Sequence, residues 1–351
     1  MFIDIHTLQY IPLSCINRDD AGMPKTVTIS GVRRARWSTY SQKRLLRMRL
    51  RELLPKGSTS IRTRRLPALV AEELKQLGAS ETVAAAAIES LLTHFKQPAK
   101  SERSDGLSTA VMVTMPDGTP RSLARAAIET GGKLDKATIK EKLEEAVPLD
   151  VAMSGRFIAE VDTRTDGALS VAHAVGTGPD GYVSEFWTSV DDLAGEQGHG
   201  GSGGMGSQGL TSGVLYRYAS IDLRELDSRM DAAGTSPTSR EELLRLTISE
   251  FARLRPEAMK RSSAPFTEPS LVQLDVSEAP RCLVDAFSEP VLGQDVIADS
   301  ITRLIEHADT MNRLYGGPAL TRRVSTQDPE SIPFATALED TLAHVAGEGS
   351  R

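Results

Sequence analysis

The spacing of apolar residues predicts strands at the start, in the middle and in the last third of the chain. Each is a short run rich in apolar, β-branched or aromatic side chains. The predicted strands are residues 2–10, 26–29, 149–153, 168–175, 214–218 and 271–276. A lone histidine, His6, lies in the first strand. A hydrogen-bonded core residue is a more ordinary role for it than a ligand.

Helical spacing occupies much of the remaining chain. Alanine- and leucine-rich residues from 67 to 95 predict two helices that are separated near Gly78, and residues 97–106 resemble a polar linker. The other predicted helices are residues 40–54, 123–127, 133–147, 240–255 and 296–314. Because the first helix-rich block lies between stretches of strand signal, the pattern favours an α+β domain with a helical insertion.

Basic side chains are concentrated near the N-terminus, although the chain as a whole is acidic. The 351 residues have a formal net charge of −6, yet residues 18–65 contain fourteen Lys and Arg against three acids. The remainder must therefore carry −17. Because local field decides what a surface attracts, residues 17–51, with ten cations and two anions, are predicted to bind nucleic acid.

The predicted helix at 40–54 gives this basic stretch two faces. It follows a turn at 17–24 and a cap at Ser38 or Thr39, and Pro55 ends it. Lys43, Arg44, Arg47 and Arg51 fall within about a quarter-turn of one another, beside an apolar stripe of Leu46, Leu50 and Leu53. A solvated face would normally intersperse acids for ion pairing, and none occurs between 31 and 51. Phosphate contacts are the preferred interpretation.

Cysteine usage and hydropathy favour a cytoplasmic protein. Cys15 and Cys282 are far apart and lack metal-ligand spacing, which fits a reducing compartment. We find no signal-peptide pattern at the N-terminus and no apolar run of membrane-spanning length. A membrane partner is therefore not expected.

Residues 198–213 have the most unusual composition, with eight glycines in sixteen positions. They contain the G-x-G-x-x-G spacing of a dinucleotide-binding turn at 201–206, but that motif needs a strand before it and a helix after it. Here a strand-like run follows, so this function is rejected. The interpretations that remain are a flexible glycine loop and a long excursion out of a sheet and back.

Residues 154–157 form a second short candidate. Ser154 and Gly155 predict a turn, and Arg156 and Phe157 add one cation and one aromatic ring. Taken alone, the turn is explained best as a tethered loop.

Several blocks of the sequence, in the same order, resemble the CasC (Cse4) family, whose members are the repeated backbone subunit of the type I-E CRISPR Cascade complex. The blocks are His6, residues 14–20, Pro24-Lys25, residues 31–38, Lys43-Arg44, residues 152–156, 167–174, 187–193 and 212–218. The resemblance implies a non-catalytic subunit. Several copies coat the CRISPR RNA and present it to the target strand, so that the guide supplies sequence specificity.

The implied partners are CRISPR RNA, the target DNA strand, neighbouring copies of the chain, and other type I-E Cascade subunits. Those subunits are the large, small, cap and RNA-processing ones. A helicase-nuclease that is recruited separately cuts the DNA. Neither a cofactor nor a metal is implied.

The resemblance also implies a hand-shaped architecture. A ferredoxin-like or RRM-type palm would comprise residues 1–58 and 221–351, with helical fingers at 59–181 and a glycine-rich thumb loop at 182–220. The thumb would reach across RNA held by a neighbouring copy and interrupt the guide–target duplex at regular intervals. Implied RNA contacts are Arg18, Lys25, Ser38, Lys43, Arg44, Arg47 and Arg156, and the implied wedge and thumb residues are Phe157, Trp187 and Met205.

One position departs from the family pattern. The family has Ser-Ser-Gln before its basic helix, whereas this chain has Ser38-Thr39-Tyr40. The amide contact of that glutamine is then either missing or taken over by Gln42.

Two other functions are weighed against the backbone subunit. A metal nuclease could use Asp191, Asp192, His173 and His199, but no pair of these has ligand spacing on one element. A free-standing nucleic-acid regulator would need a DNA-binding motif, and neither a helix-turn-helix nor a zinc pattern is found.

Overall fold

The computed structural model describes residues 1–96, 106–190, 202–232 and 237–348. Its strands are β1 (Phe2–Ser14), β2 (Thr26–Ile29), β3 (Val32–Trp37), β4 (Ser60–Thr63), β5 (Val113–Pro116), β6 (Arg156–Ile158), β7 (Thr163–Thr165), β8 (Leu169–Val171), β9 (Ala174–Gly176), β10 (Val183–Val190), β11 (Ser202–Asp222), β12 (Leu271–Ser277) and β13 (Leu320–Ser325).

The helices of the described residues confirm the predicted helical blocks and add three more, α6, α7 and α10. They are α1 (Thr39–Leu53), α2 (Leu66–Gln76), α3 (Glu81–Phe95), α4 (Thr119–Glu129), α5 (Lys136–Glu144), α6 (Leu149–Ser154), α7 (Leu223–Ala232), α8 (Pro237–Ala252), α9 (Val296–Tyr315) and α10 (Phe334–Glu348). Short 3-10 helices cover Ala159–Val161 and Val284–Phe287. The predicted linker at 97–106 lies almost entirely outside the described residues.

A large sheet organises the fold, and the predicted α+β class is confirmed. Its strands run in the order β13-β12-β1-β11-β9-β3-β2, with β8 and β10 also paired to β11. The pairings of β1 with β12, β12 with β13, β9 with β11, β3 with β9 and β2 with β3 are antiparallel. Strand β1 is buried along most of its length, because it lies inside the sheet rather than at its edge.

The chain divides into two compact units. The first unit comprises residues 1–46, 171–220 and 247–351, and the second comprises 47–170 and 221–246. In the first unit, side chains of β1, β11 and α9 such as Leu8, Tyr216 and Leu304 form one apolar cluster. In the second unit, helices α2 to α5 surround a separate core that includes Leu91 and Leu123. Each unit therefore has its own core, while the predicted palm, fingers and thumb boundaries stay a prediction.

The structural role predicted for His6 is confirmed. The side chain is buried in β1, with its Nδ1 2.9 Å from the Tyr216 hydroxyl and its Nε2 3.4 Å from the Asp275 carboxylate. A second buried pair lies nearby, because the Tyr218 hydroxyl donates to Asp4 at 2.9 Å. Burial raises the pKa of Asp4 despite these hydrogen bonds. These contacts satisfy buried polar atoms of His6 and Asp4 on β1 and of Tyr216 and Tyr218 on β11.

The strand predicted at residues 149–153 is wrong, because these residues form helix α6. All five are buried, and a short, continuously buried apolar run fits a helix as well as a strand. The Asp150 carboxylate accepts hydrogen bonds from the Ser60 amide at 2.7 Å and from the Ser60 hydroxyl at 2.6 Å. These two bonds hold the helix against the start of β4.

The strand predicted at 168–175 is interrupted at Ala172 and His173, which separate β8 from β9. The backbone of Ala172 bonds instead to Gln42 and Tyr218. Residues 202–213 form part of β11, and residues 202–210 pair with β10. Of the two interpretations, this agrees with an excursion out of a sheet and back and not with a flexible glycine loop. The rejection of a dinucleotide-binding turn is confirmed, since β11 continues through that motif. Residues 198–201 lie outside the described residues.

Candidate nucleic-acid interface

Asn17 brings three of the predicted RNA contacts together in the first unit. Its carbonyl oxygen accepts from the Lys25 amide at 2.8 Å, and its side-chain Oδ1 accepts from the Ser38 amide at 3.0 Å. Arg18 forms a β-bridge with Pro24 in the same turn. The predicted turn is thus closed, and Arg18, Lys25 and Ser38 lie close together at the start of α1. Sequence reasoning used Asn17 only to mark the turn and missed this organising role.

The first turn of α1 is capped by side chains from two parts of the chain. Ser38 is buried, and its hydroxyl accepts from the Ser41 amide at 3.4 Å. The Thr39 amide donates to His173 Nδ1 at 3.1 Å, and the Thr39 hydroxyl donates to the Val171 carbonyl at 3.1 Å. The first turn carries no acidic residue.

The two predicted faces of α1 are both present. Leu46 and Leu50 are fully buried, while Arg44 and Arg51 are exposed and Lys43 and Arg47 are half-buried. Burial lowers the pKa of Lys43. The apolar stripe was extended one residue too far, because Leu53 is exposed and Leu54 is buried in its place. A row of cations beside a packed leucine face is suited to hold a sugar-phosphate chain.

Gln42, the candidate to take over the amide contact of the family glutamine, does not reach the surface. It is fully buried, and its Nε2 donates to the Trp37 carbonyl at 3.2 Å and to the Ala172 carbonyl at 3.1 Å. Tyr40 is instead the side chain presented at this position, with 84% of its surface exposed.

The basic stretch is not uniformly turned outward. Arg34 is fully buried and donates to the Phe287 and Ser288 carbonyls. Arg33 is exposed, but it pairs with Asp180 at 3.0 Å and lies 4.9 Å from the centre of the Tyr182 ring. These two arginines link β3 to neighbouring segments of the chain. Only some of the cations in the basic stretch are therefore available to a ligand.

Strands β10 and β11 form an antiparallel ribbon that carries the predicted thumb residues. Trp187 is 50% exposed and stands opposite Gly206, and Met205 is 66% exposed and stands opposite Thr188. Since side chains alternate along a strand, Trp187 and Met205 point to opposite faces of the ribbon. Phe186, which is 62% exposed, shares the face of Met205. Sequence reasoning missed Phe186, although its position next to Trp187 in a period-two pattern could have marked it.

Glycines allow close packing within the ribbon and at its base. A Cβ atom at Gly206 would stand 2.9 Å from the Trp187 ring, so this ring lies flat over the glycine. A Cβ atom at Gly209 would stand 2.8 Å from the Met23 methyl group and 2.9 Å from Pro24. The base of the ribbon therefore packs directly on the turn at 17–24. The ribbon and the turn that contains Arg18 are neighbours in the first unit.

Arg156 and Phe157 lie in the second unit, on β6. Arg156 is only 6% exposed, and its guanidinium donates to the Leu143 carbonyl at 2.8 Å. Burial lowers its pKa. Phe157 is 67% exposed on a hairpin strand that pairs with β7. The RNA roles of both residues stay predictions.

The nuclease alternative gains no support from the part of the chain that is described. Within 1–96, 106–190, 202–232 and 237–348, no three His, Cys, Asp or Glu side chains are grouped as a metal site. His173 binds the start of α1, and Asp191, Asp192 and His199 lie outside these residues.

No helix within the same ranges is long and apolar enough to cross a membrane.

Comparison with known proteins places the chain in a family. A family model described as CT1975-like protein (Cas_CT1975) matches residues 3–346, so the chain belongs to that family. One solved structure, described as "CRISPR RNA-guided surveillance complex, pre-nicking", is 26% identical with a TM-score of 0.84, and the match covers 98% of this chain and 100% of that chain. Another, described as "CRISPR RNA-guided surveillance complex", is 23% identical with a TM-score of 0.74 at the same coverage, and supports the fold alone. No curated protein matches.

Proposed function

We propose that the chain is the non-catalytic backbone subunit of a CRISPR surveillance complex and that several copies coat the CRISPR RNA in the cytoplasm. The observation that carries this proposal is the similarity, along 98% of the chain, to a solved CRISPR RNA-guided surveillance complex. The cations at the start of α1 supply what such a role requires, because phosphate contacts grip RNA without reading its sequence.

We further propose the type I-E complex as the assembly, on the strength of the N-terminal resemblance from His6 to Arg44. The large, small, cap and RNA-processing subunits would then be partners, and a recruited helicase-nuclease would cut the DNA. Within this role Arg18, Lys25, Ser38, Lys43, Arg44, Arg47 and Arg156 contact RNA.

The β10–β11 ribbon is proposed as the thumb, and Phe157, Trp187 and Met205 are proposed as the wedge and thumb-packing residues. An exposed aromatic ring can offset the unstacking of a base by stacking on it, which contributes about 1–3 kcal/mol per base. The ribbon would act on RNA held by a neighbouring copy and leave the other bases to pair with target DNA.

Purification of the complex from its host, followed by sequencing of the RNA that accompanies it, tests this function. We expect RNAs that carry repeat-derived ends and many different spacers, since the protein reads the backbone and not the bases. Co-purification of no RNA, or of RNA with a common internal sequence, would contradict the proposal. Nuclease activity that is abolished by EDTA would favour the metal nuclease instead.

A further inference from the structure

Among the residues that the structure describes, three buried arginines bind backbone carbonyls near helix ends. Arg34 donates to Phe287 and Ser288 at the end of a 3-10 helix, Arg156 donates to Leu143 near the end of α5, and Arg217 donates to Phe251 and Ala252 at the end of α8. The last carbonyls of a helix lack partners within the helix and carry partial negative charge. A guanidinium can satisfy them without a carboxylate.

Arg217 is fully buried, as Arg34 is, and of the three it contacts the most elements. It extends from β11, and besides the two α8 carbonyls it donates to Gln9 Oε1 on β1 at 2.9 Å and to Gln42 Oε1 on α1 at 3.3 Å. Its guanidinium carbon lies 5.4 Å from the centre of the Trp37 ring and 4.7 Å from that of Phe251. One side chain thus joins β1, β11, α1 and α8.

The bond to Gln42 continues into the start of the basic helix. The other end of the Gln42 amide donates to the carbonyls of Trp37 and Ala172, which lie just before α1 and between β8 and β9. Gln42 immediately precedes Lys43 and Arg44. The hydrogen bonds of Gln42 therefore set the orientation of α1 about its own axis. That orientation determines the direction in which Lys43 and Arg44 point.

Burial of the charged guanidinium of Arg217 lowers the stability of the fold. Burial lowers the pKa of Arg217 to about 9. A well-packed apolar side chain of similar volume is often at least as stabilising as a buried charge, so a buried cation is weak evidence for a purely stabilising role. A planar group with several fixed donors is, however, well suited to hold four elements in one geometry.

We propose that Arg217 is a positioning residue for RNA binding, which acts through Gln42 to orient the first turn of α1 and thereby aim Lys43 and Arg44 at the phosphates. This inference rests on the proposed RNA-binding function. It gives a fully buried residue an indirect role in RNA binding.

The test compares two buried arginines of the first unit. Arg217→Lys keeps the charge but loses the multiple fixed donors, and Arg34→Lys makes the same change at a side chain whose hydrogen bonds go to Phe287 and Ser288. Gln42→Met leaves Arg217 in place but removes its link to α1, together with the two bonds from the Gln42 amide to the Trp37 and Ala172 carbonyls. Each full-length variant is titrated against a fluorescein-labelled single-stranded RNA of arbitrary sequence at several salt concentrations. Thermal unfolding is measured in parallel.

We expect Arg217→Lys and Gln42→Met each to weaken RNA binding about tenfold and to reduce the slope of log K against log salt by about 0.7, as for one lost phosphate contact. The double variant should be no weaker than the weaker single one, because both act along the same path. Arg34→Lys should lower the melting temperature but leave RNA affinity within about twofold.

Equal RNA affinity in wild type, Arg217→Lys and Gln42→Met would overturn the inference while leaving the proposed function intact. If Arg217→Lys does not fold, the comparison of Gln42→Glu with Gln42→Met decides the question. Gln42→Glu keeps an oxygen that accepts from Arg217 and loses only the donors to Trp37 and Ala172, so it should retain the RNA affinity that Gln42→Met loses, and an equal loss in both would overturn the inference. Failure of the wild-type chain itself to bind RNA would instead refute the proposed function.

Discussion

The N-terminal half of α1 and the β10–β11 ribbon differ in how their functional side chains are supported. At the start of α1, Ser38, Thr39 and Gln42 each form hydrogen bonds with neighbouring segments. The part of the helix that carries the cations is therefore held in one position. On the ribbon, Trp187 and Met205 are exposed and face small residues, Gly206 and Thr188. One region is anchored at several points, and the other is a thin pair of strands with aromatic rings on its surface.

This difference indicates that α1 and the ribbon have separate functions. A grip on phosphates needs charge in a constant place, because each contact is short-ranged and screened by salt. A wedge between bases needs an apolar surface that can approach closely, and glycine permits that approach. We therefore expect changes at α1 to affect RNA retention, and changes on the ribbon to affect pairing with the target.

Reversal of charge on α1 should have the largest effect. Lys43→Glu combined with Arg47→Glu should weaken RNA binding by about 100-fold or more, because two attractive contacts become repulsive. RNA retention after size-exclusion chromatography measures the loss. The control, Arg49→Glu with Lys136→Glu, makes the same change in net charge away from the predicted face. Equal losses in both double variants would show that only net charge matters.

Removal of the exposed tryptophan should have the next largest effect. Trp187→Ala should weaken binding of the assembled complex to target DNA about tenfold, from the loss of about 1–3 kcal/mol of stacking. RNA retention should change little. Phe186→Ala, on the opposite face of the ribbon, should have a smaller effect on target binding. An equal reduction of assembly and target binding by Trp187→Ala would count against the wedge.

The glycine beneath that tryptophan offers a finer test. Gly206→Ala places a methyl group 2.9 Å from the Trp187 ring, which must turn away. At Gly204 the nearest atom to a new methyl group is 3.4 Å away, so Gly204→Ala should be tolerated. We expect Gly206→Ala to weaken target binding about threefold and to shift tryptophan fluorescence to longer wavelength. Indistinguishable spectra for the two variants would mean that the ring does not rest on Gly206.

The smallest expected effect is at the turn before α1. Asn17→Ala removes the bond to the Ser38 amide and should lower stability by about 1 kcal/mol, with about a twofold loss of RNA affinity. Chemical denaturation measures the first quantity. Asn17→Asp keeps the accepting oxygen and should recover most of the stability. If it does not, the Oδ1 bond is not what orders the turn.

Local patterns predicted the elements of the fold well where one periodicity dominated. The helical pair before Phe95, the basic helix at α1 and strand β12 followed directly from side-chain spacing. Residues 149–153 failed because a short apolar run, fully buried, has no period to distinguish α6 from a strand. The flexible-loop interpretation of the glycine run failed because pairing with β10, a tertiary contact, outweighed the low strand propensity of glycine.

The candidate site was only partly visible in the sequence. Clustered cations predicted the surface of α1, because charge on an exposed helix face needs no knowledge of tertiary contacts. The same count could not separate Arg34, which is buried, from Arg44, which is exposed. The roles of Asn17, Gln42 and Arg217 depend on partners that are distant in the chain, and no local pattern identifies them.

Native mass spectrometry of the full-length chain with synthetic RNAs of increasing length tests the backbone role most directly. We predict that the number of bound copies rises in regular steps as the RNA is lengthened, whatever its sequence. A fixed number of copies on every RNA, or binding to one sequence only, would contradict it.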